Sequence, residues 1–136
     1  MRLALTLLLA LAGCGEERPA VDLSMGKNIY AQQCAVCHGA KLEGQPDWQR
    51  KLANGRFPAP PHDDGGHTWH HTDEVLFGIT KHGLVPPYAP KGYESDMPAF
   101  AGKLSDEEIR AVLAYIGSHW SSEVLKLRAE MLRNRR

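Results

Sequence analysis

The chain has 136 residues, which suits one domain and leaves little room for a second. Apolar residues make up 43% and charged ones 24%, a globular balance that sets aside the disordered and fibrous classes. Sixteen basic residues against sixteen acidic ones leave no net charge, where a nucleic-acid binder carries a basic excess. No apolar run reaches the roughly 18 residues needed to span a bilayer.

Residues 1–13 read as an export signal. Arg2 supplies the positive start, Leu3 to Leu11 form an apolar stretch broken only by Thr6, and small Ala12 and Gly13 lead to Cys14. Leu11-Ala12-Gly13-Cys14 resembles the lipobox of bacterial lipoproteins, which makes Cys14 the lipidated first residue of the mature chain. The alternative is an ordinary secretory signal discarded together with Cys14. Gly15 in place of an aspartate favours, by the same resemblance, the outer membrane. Residues 14–23, with Glu16, Glu17, Arg18 and Pro19, bury little and read as a tether to a domain over 24–120.

That domain opens with a helix. Ser24 is the expected N-cap, and Gly26, Tyr30 and Cys34 recur every four residues and so share one face. The helix runs into Cys34-Ala35-Val36-Cys37-His38, whose C-x-x-C-H spacing is the attachment signal for c-type haem. Two thiols three residues apart reach the two vinyl groups of one porphyrin, and the next residue brings an imidazole nitrogen to the iron. A disulfide redox pair belongs in a β-α-β pattern, which is absent around Cys34. A zinc site needs a second ligand pair at finger-like spacing, which is also absent.

The segment 54–83 departs from a generic haem domain. Phe57-Pro58-Ala59-Pro60-Pro61 is a stiff, extended loop. His62, His67, His70 and His71 follow with Asp63 and Asp64, all within ten residues. Three readings stay open for them. They form a second, copper-type metal site; they line the haem edge, where Trp69 Nε1–H, Arg56 and one or more histidines donate to propionates; or they belong to a solvated loop. A helix is expected from Thr72, with Asp73 and Glu74 in its first turn, Val75, Leu76 and Ile79 buried, and Gly83 as its stop. His82 and His119 read as surface or helix-end residues. Pro86-Pro87-Tyr88-Ala89-Pro90 is a second rigid loop, expected to cover the haem edge.

Ser105-Asp106-Glu107-Glu108 is a capping box, and Ile109, Val112, Leu113, Ile116 and Trp120 follow at helical spacing as core residues. Residues 121–136 carry Lys126, Arg128, Arg133, Arg135 and Arg136 against Glu123 and Glu130. Val124, Leu127 and Met131 give this basic extension a helical stripe. Its open readings are a docking surface for an acidic partner or anionic lipid, and a solvated, frayed end.

Over residues 24–120 the chain resembles the class I cytochromes c, in particular small monohaem bacterial ones. The resemblance rests on Gly26 and Tyr30 before the motif, on the motif itself, on Gly39 and Leu42-Glu43-Gly44 after it, and on Ser95-Asp96-Met97-Pro98. It implies an all-α cytochrome c fold, three main helices around one covalent haem c with long loops. Gly26 and Tyr30 then pack against the C-terminal helix, with Tyr115 as a partner. It further implies His38 and Met97 as axial ligands, Met97 lying 59 residues after His38 in a loop like the family's Met-Pro loop. Of the other methionines past the signal, Met25 is too near the motif and Met131 lies in the charged tail.

The expected function is one-electron transfer between periplasmic or membrane redox partners, with a redox-protein donor and acceptor, a membrane reached through the lipid anchor, and no nucleic acid. The competing reading is a haem protein whose histidine loop binds or senses copper. A weak peroxidase or gas binder is a third, and requires Met97 to leave the iron.

Overall fold

A computed structural model describes residues 21–135, so the expected signal segment 1–13 and Cys14 lie outside the described residues. Among the described residues the regular structure is helical, with a lone β-bridge between Ala101 and Leu104. Helix α1 (Leu23–Ile29) passes through a π-helical turn (Tyr30–Cys34) into the short α2 (Ala35–His38). After long loops and a 3-10 turn (Thr68–His70) come α3 (Asp73–His82), α4 (Asp106–Gly117) and α5 (Ser122–Arg133). Helix α5 lies in the C-terminal extension 121–136 that the sequence reads as helical, beside the three main helices. No helix among the described residues is long and apolar enough to cross a membrane.

The caps follow local chemistry. α1 is capped by Asp22, whose carboxylate accepts from the N–H groups of Ser24 and Met25; Ser24, the expected cap, lies one residue inside the helix. Asp22 wins because a carboxylate at the positive end of a helix is a stronger acceptor than a hydroxyl. Thr72 caps α3 and Gly83 ends it, as expected. Ser105 and Glu108 form the reciprocal capping box of α4.

The core forms where α1 crosses α4. A Cβ on Gly26 would overlap the carbonyl of Ala111 and lie 2.9 Å from Tyr115 Cβ, so only glycine lets the two backbones approach this closely. Around the crossing, Ile29, Tyr30, Val112, Ile116 and Trp120 are buried together, while Ile109 has no exposed surface at all. The buried side of α3 is Leu76, Gly78 and Thr80; Val75 and Ile79, expected in the core, are only half-buried. Gly78 leaves room for the ring of Tyr88, which brings the second proline loop onto α3. Lys81 Nζ joins α3 to the first turn of α4 at 2.6 Å from Asp106.

Helix α5 is a packed element with its own cap, Ser121. Its buried residues are Val124 and Arg128, whereas Leu127, which the apolar stripe placed inward, is exposed. Both readings of the basic extension, a docking surface or a solvated end, leave its cations at the surface, yet Arg128 is 7% exposed, because its guanidinium finds acceptors beneath the helix.

Candidate functional site

The π-helical turn ends at Cys34, the first thiol of the motif, and α2 carries Cys37 and His38. Such a turn inserts one wide hydrogen-bonded ring into a helix, a device often found at functional sites. Cys34 is half-buried and Cys37 exposed, and neither is in a disulfide. Burial, and then the neighbouring Cys37, push the Cys34 thiol up to about 11, so this sulfur stays protonated as long as it is free. Val36 between them is 86% exposed, so the motif meets solvent at Val36 and Cys37 while Cys34 faces inward.

His38 is buried and held from several sides. Its Nδ1–H donates to the Pro60 carbonyl at 2.8 Å. Its own carbonyl accepts from Gly44 N–H at 2.8 Å. The buried Tyr30 hydroxyl donates to the Gly39 carbonyl at 2.9 Å and lies 3.3 Å from that of His38. Burial holds the imidazole below its ordinary pKa, partly offset by the bond to Pro60. The ring is therefore neutral, with its proton on Nδ1 and a lone pair on Nε2, which is the form that binds a metal. Two thiols and one such imidazole within five residues make a donor set that fits a covalently attached haem.

Met97 is half-buried in the loop before α4. Its N–H donates to Ser95 Oγ at 3.1 Å, and Arg56 pairs with Asp96 next to it and more loosely with Glu94, at 4.0 Å. Beyond it the loop is pinned to the end of α3, where Phe100 and Ala101 N–H donate to the carbonyls of Thr80 and Lys81. Arg56 was expected to serve propionates; here it ties the Met97 loop to the stretch before the first proline loop. Trp69, the other expected donor, has its Nε1–H 3.4 Å from the Asp64 carbonyl.

The four clustered histidines do not converge. His62 turns inward and stacks on His38, with ring centres 3.9 Å apart and planes inclined by 22°. Its Nδ1 pairs with Thr68 Oγ1 at 2.8 Å. Burial, with smaller contributions from His38 and His67, pushes the His62 imidazole down to about 3. His67 sits against Trp48 and His71, while the exposed His70 packs on Trp69. Among the described residues no group of three or more His, Cys, Asp or Glu side chains is placed to hold a metal ion. The copper-type site read at His62, His67, His70 and His71 finds no support in this arrangement. These residues follow a loop whose backbone must wrap past His38, and that path sends their side chains in different directions. His82 and His119 are exposed, His82 facing Tyr88 and His119 bonded to the Tyr115 carbonyl at 2.9 Å.

Sequence reasoning missed four supports of this site: Tyr30 and Pro60 as partners of His38, and Trp120 and Arg128 as partners of the histidine segment. Arg128 alone left a trace, an arginine four residues after Val124 on the inward stripe.

Comparison with known proteins bears on the same residues. A family model described as cytochrome C oxidase, cbb3-type, subunit III matches residues 21–116. The chain is 35% identical over 122 residues to cytochrome c-552 of Thermus thermophilus, covering 79% of this chain and 86% of that protein. It is 28% identical over 117 residues to cytochrome c6 of a Picosynechococcus species, covering 85% and 89%. A thiosulfate dehydrogenase of Stutzerimonas stutzeri is 35% identical over 99 residues, 72% of this chain, and the match spans only 27% of that protein's length. No solved structure matches the chain. The chain belongs to the class I, monohaem cytochromes c: it carries one covalently bound c-type haem and is a haem-based electron carrier.

Proposed function

We propose that this cytochrome carries single electrons between redox-protein partners outside the cytoplasm, with Cys34 and Cys37 as the thioether sulfurs and His38 and Met97 as the axial ligands. The haem, when bound, supplies a one-electron iron couple. The chain's residues do the rest. His38, neutral and locked by Pro60, offers Nε2 in both oxidation states, and Met97 offers a soft thioether that favours the reduced form and a comparatively high potential. The observation that carries the reading is the buried His38, with Nδ1 committed to Pro60, directly after the paired thiols.

The solvent-facing edge at Val36 and Cys37 suits electron exchange across a transient contact. The protein is read as an electron carrier without a reaction of its own; the enzyme-named relative resembles it over about a quarter of that protein's length. Export and lipid anchoring through Cys14, with the outer membrane favoured, complete the proposal. Arg56 and Trp69 remain candidates for the haem edge once their present acceptors are exchanged.

The test is the absorption spectrum of the matured protein, oxidised and reduced. A low-spin c-type spectrum with the weak far-red band of methionine-bound ferric iron is expected, and Met97→Ala abolishes that band. A high-spin or bis-histidine spectrum in the unaltered protein overturns the axial assignment.

A further inference from the structure

His62 is fixed at three points. Its N–H donates to the Leu42 carbonyl at 2.8 Å, its carbonyl accepts from Trp120 Nε1–H at 2.9 Å, and its ring is bonded to Thr68. Two of these holds are made by neighbouring loops, but the third comes from the far end of the chain. Trp120 lies between α4 and α5, with the Arg128 guanidinium 5.1 Å from its ring centre. Arg128 in turn donates to the carbonyls of Trp69, at 2.6 Å, and His71, and to the Asp73 carboxylate at 2.6 Å. Ser121 N–H donates to the Asp64 carboxylate at 3.0 Å. Residues 120–128 therefore grip the histidine segment at both ends, 62–64 and 69–73. They lie beyond residue 116, where the family match stops.

A single hydrogen bond at Nδ1 sets the tautomer of His38 and the direction of one ring edge. A flat neighbour against the ring face restricts the tilt that remains, and leaves Nε2, which lies on the edge, free to bind. His62 is that neighbour. We propose that the segment 120–128 is a positioning element for the axial imidazole: Trp120, bonded to the His62 carbonyl and covered by Arg128, holds His62 face-on to His38 and so sets the plane of the His38 ring. The proposal rests on the reading of His38 as an iron ligand. Trp120 and Arg128 are positioning residues, acting through His62.

The experiment uses the haem-loaded full chain in its ferric state and reads the proton NMR shifts of the four haem methyl groups, whose spread reports the orientation of the axial ligand planes. Thermal unfolding is recorded alongside. His62→Ala is expected to change the spread, and His62→Phe, which restores a flat ring, to return it toward that of the unaltered protein. Trp120→Phe and Arg128→Met should move it in the same direction as His62→Ala, by less. Variants that unfold earlier yet keep the original methyl shifts overturn the proposal and leave α5 as a brace only. Should Arg128→Met yield no folded protein, Trp120→Phe carries the test: it keeps an aromatic ring and removes the N–H, and the unfolding record accounts for the ring volume lost with it. His38→Ala separates the two readings: if it leaves the low-spin spectrum intact, His38 is not the ligand and both fall; if it abolishes that spectrum while the α5 variants stay silent, only the present proposal falls.

Discussion

The two segments that bear the candidate ligands are held in opposite ways. The His38 side is built into the core: Gly26 brings α1 onto α4, Tyr30 is buried beneath the motif, and the loop after His38 is closed by bonds from Gly44 and to Pro60. The Met97 side hangs from exposed polar ties, Arg56 to Asp96 and Glu94, and from a backbone register onto α3 three residues later. Buried hydrogen bonds lost without replacement cost the full desolvation of the partner left behind, whereas exposed ion pairs are screened by water. The difference implies that the histidine end folds with the domain and the methionine end is the one that yields.

The comparison breaks most sharply at Gly26. Gly26→Val forces a side chain into the Ala111 backbone and should cost about 3 kcal/mol in denaturant unfolding of the haem-loaded protein, as severe overpacking does. A change within a few tenths of a kcal/mol would mean that α1 and α4 do not cross this tightly. Tyr30→Phe removes the hydroxyl shared by the Gly39 and His38 carbonyls; a loss of about 1.5 kcal/mol is expected by the same measurement. Ser105→Ala removes one half of the α4 capping box and should cost about 1 kcal/mol, a control for ordinary helix-end effects.

Acid sharpens the histidine side. The imidazoles of His67 and His71 are held below their ordinary value chiefly by burial, with neighbouring histidines adding to it and, at His71, Arg135 and Arg128 as well. The folded state thus resists protonation more than the unfolded chain does. Stability is full above the unfolded value of about 6.5 and is lost as pH falls below it, through the lower folded values. Denaturation midpoints at pH 7.5 and 5 should show this loss, and a His67→Gln, His71→Gln double variant should lessen it, the remainder coming from the buried His62. An unchanged slope in that variant would assign the acid sensitivity elsewhere. The smallest stability effect belongs to the other side: Arg56→Ala should cost less than about 1 kcal/mol, its partners being exposed. It should nevertheless speed the replacement of Met97 by added imidazole, followed by loss of the far-red band. No change in that rate would show that the Arg56 tie does not restrain the loop.

The elements that the sequence made legible are those in which the signal is local. The capping box at Ser105 and Glu108, the cap and stop of α3 at Thr72 and Gly83, and the apolar spacing of α4 each depend on residues within a turn or two. The C-x-x-C-H motif is equally local, and with it the single covalent haem. Where two acceptors competed over a few residues, as Asp22 and Ser24 do at the start of α1, the pattern alone chose the weaker one.

The histidine segment resisted reading because every residue in it is polar and its composition allows several chemistries. Its four histidines read as a cluster on paper, and the fold sends them to different neighbours. What turns His62 toward His38 is a set of partners far along the chain, Trp120 58 residues away and Arg128 55 to 59 residues from the groups it binds. Such pairings leave no periodicity.

The sequence by itself therefore determined the family, the haem and the helices, since each follows from spacing along one short stretch. Only the tertiary structure decided which histidine faces His38 and which arginine is buried. It also made the C-terminal helix part of the domain, because those choices depend on which distant carbonyls and rings the closed chain brings within hydrogen-bond reach.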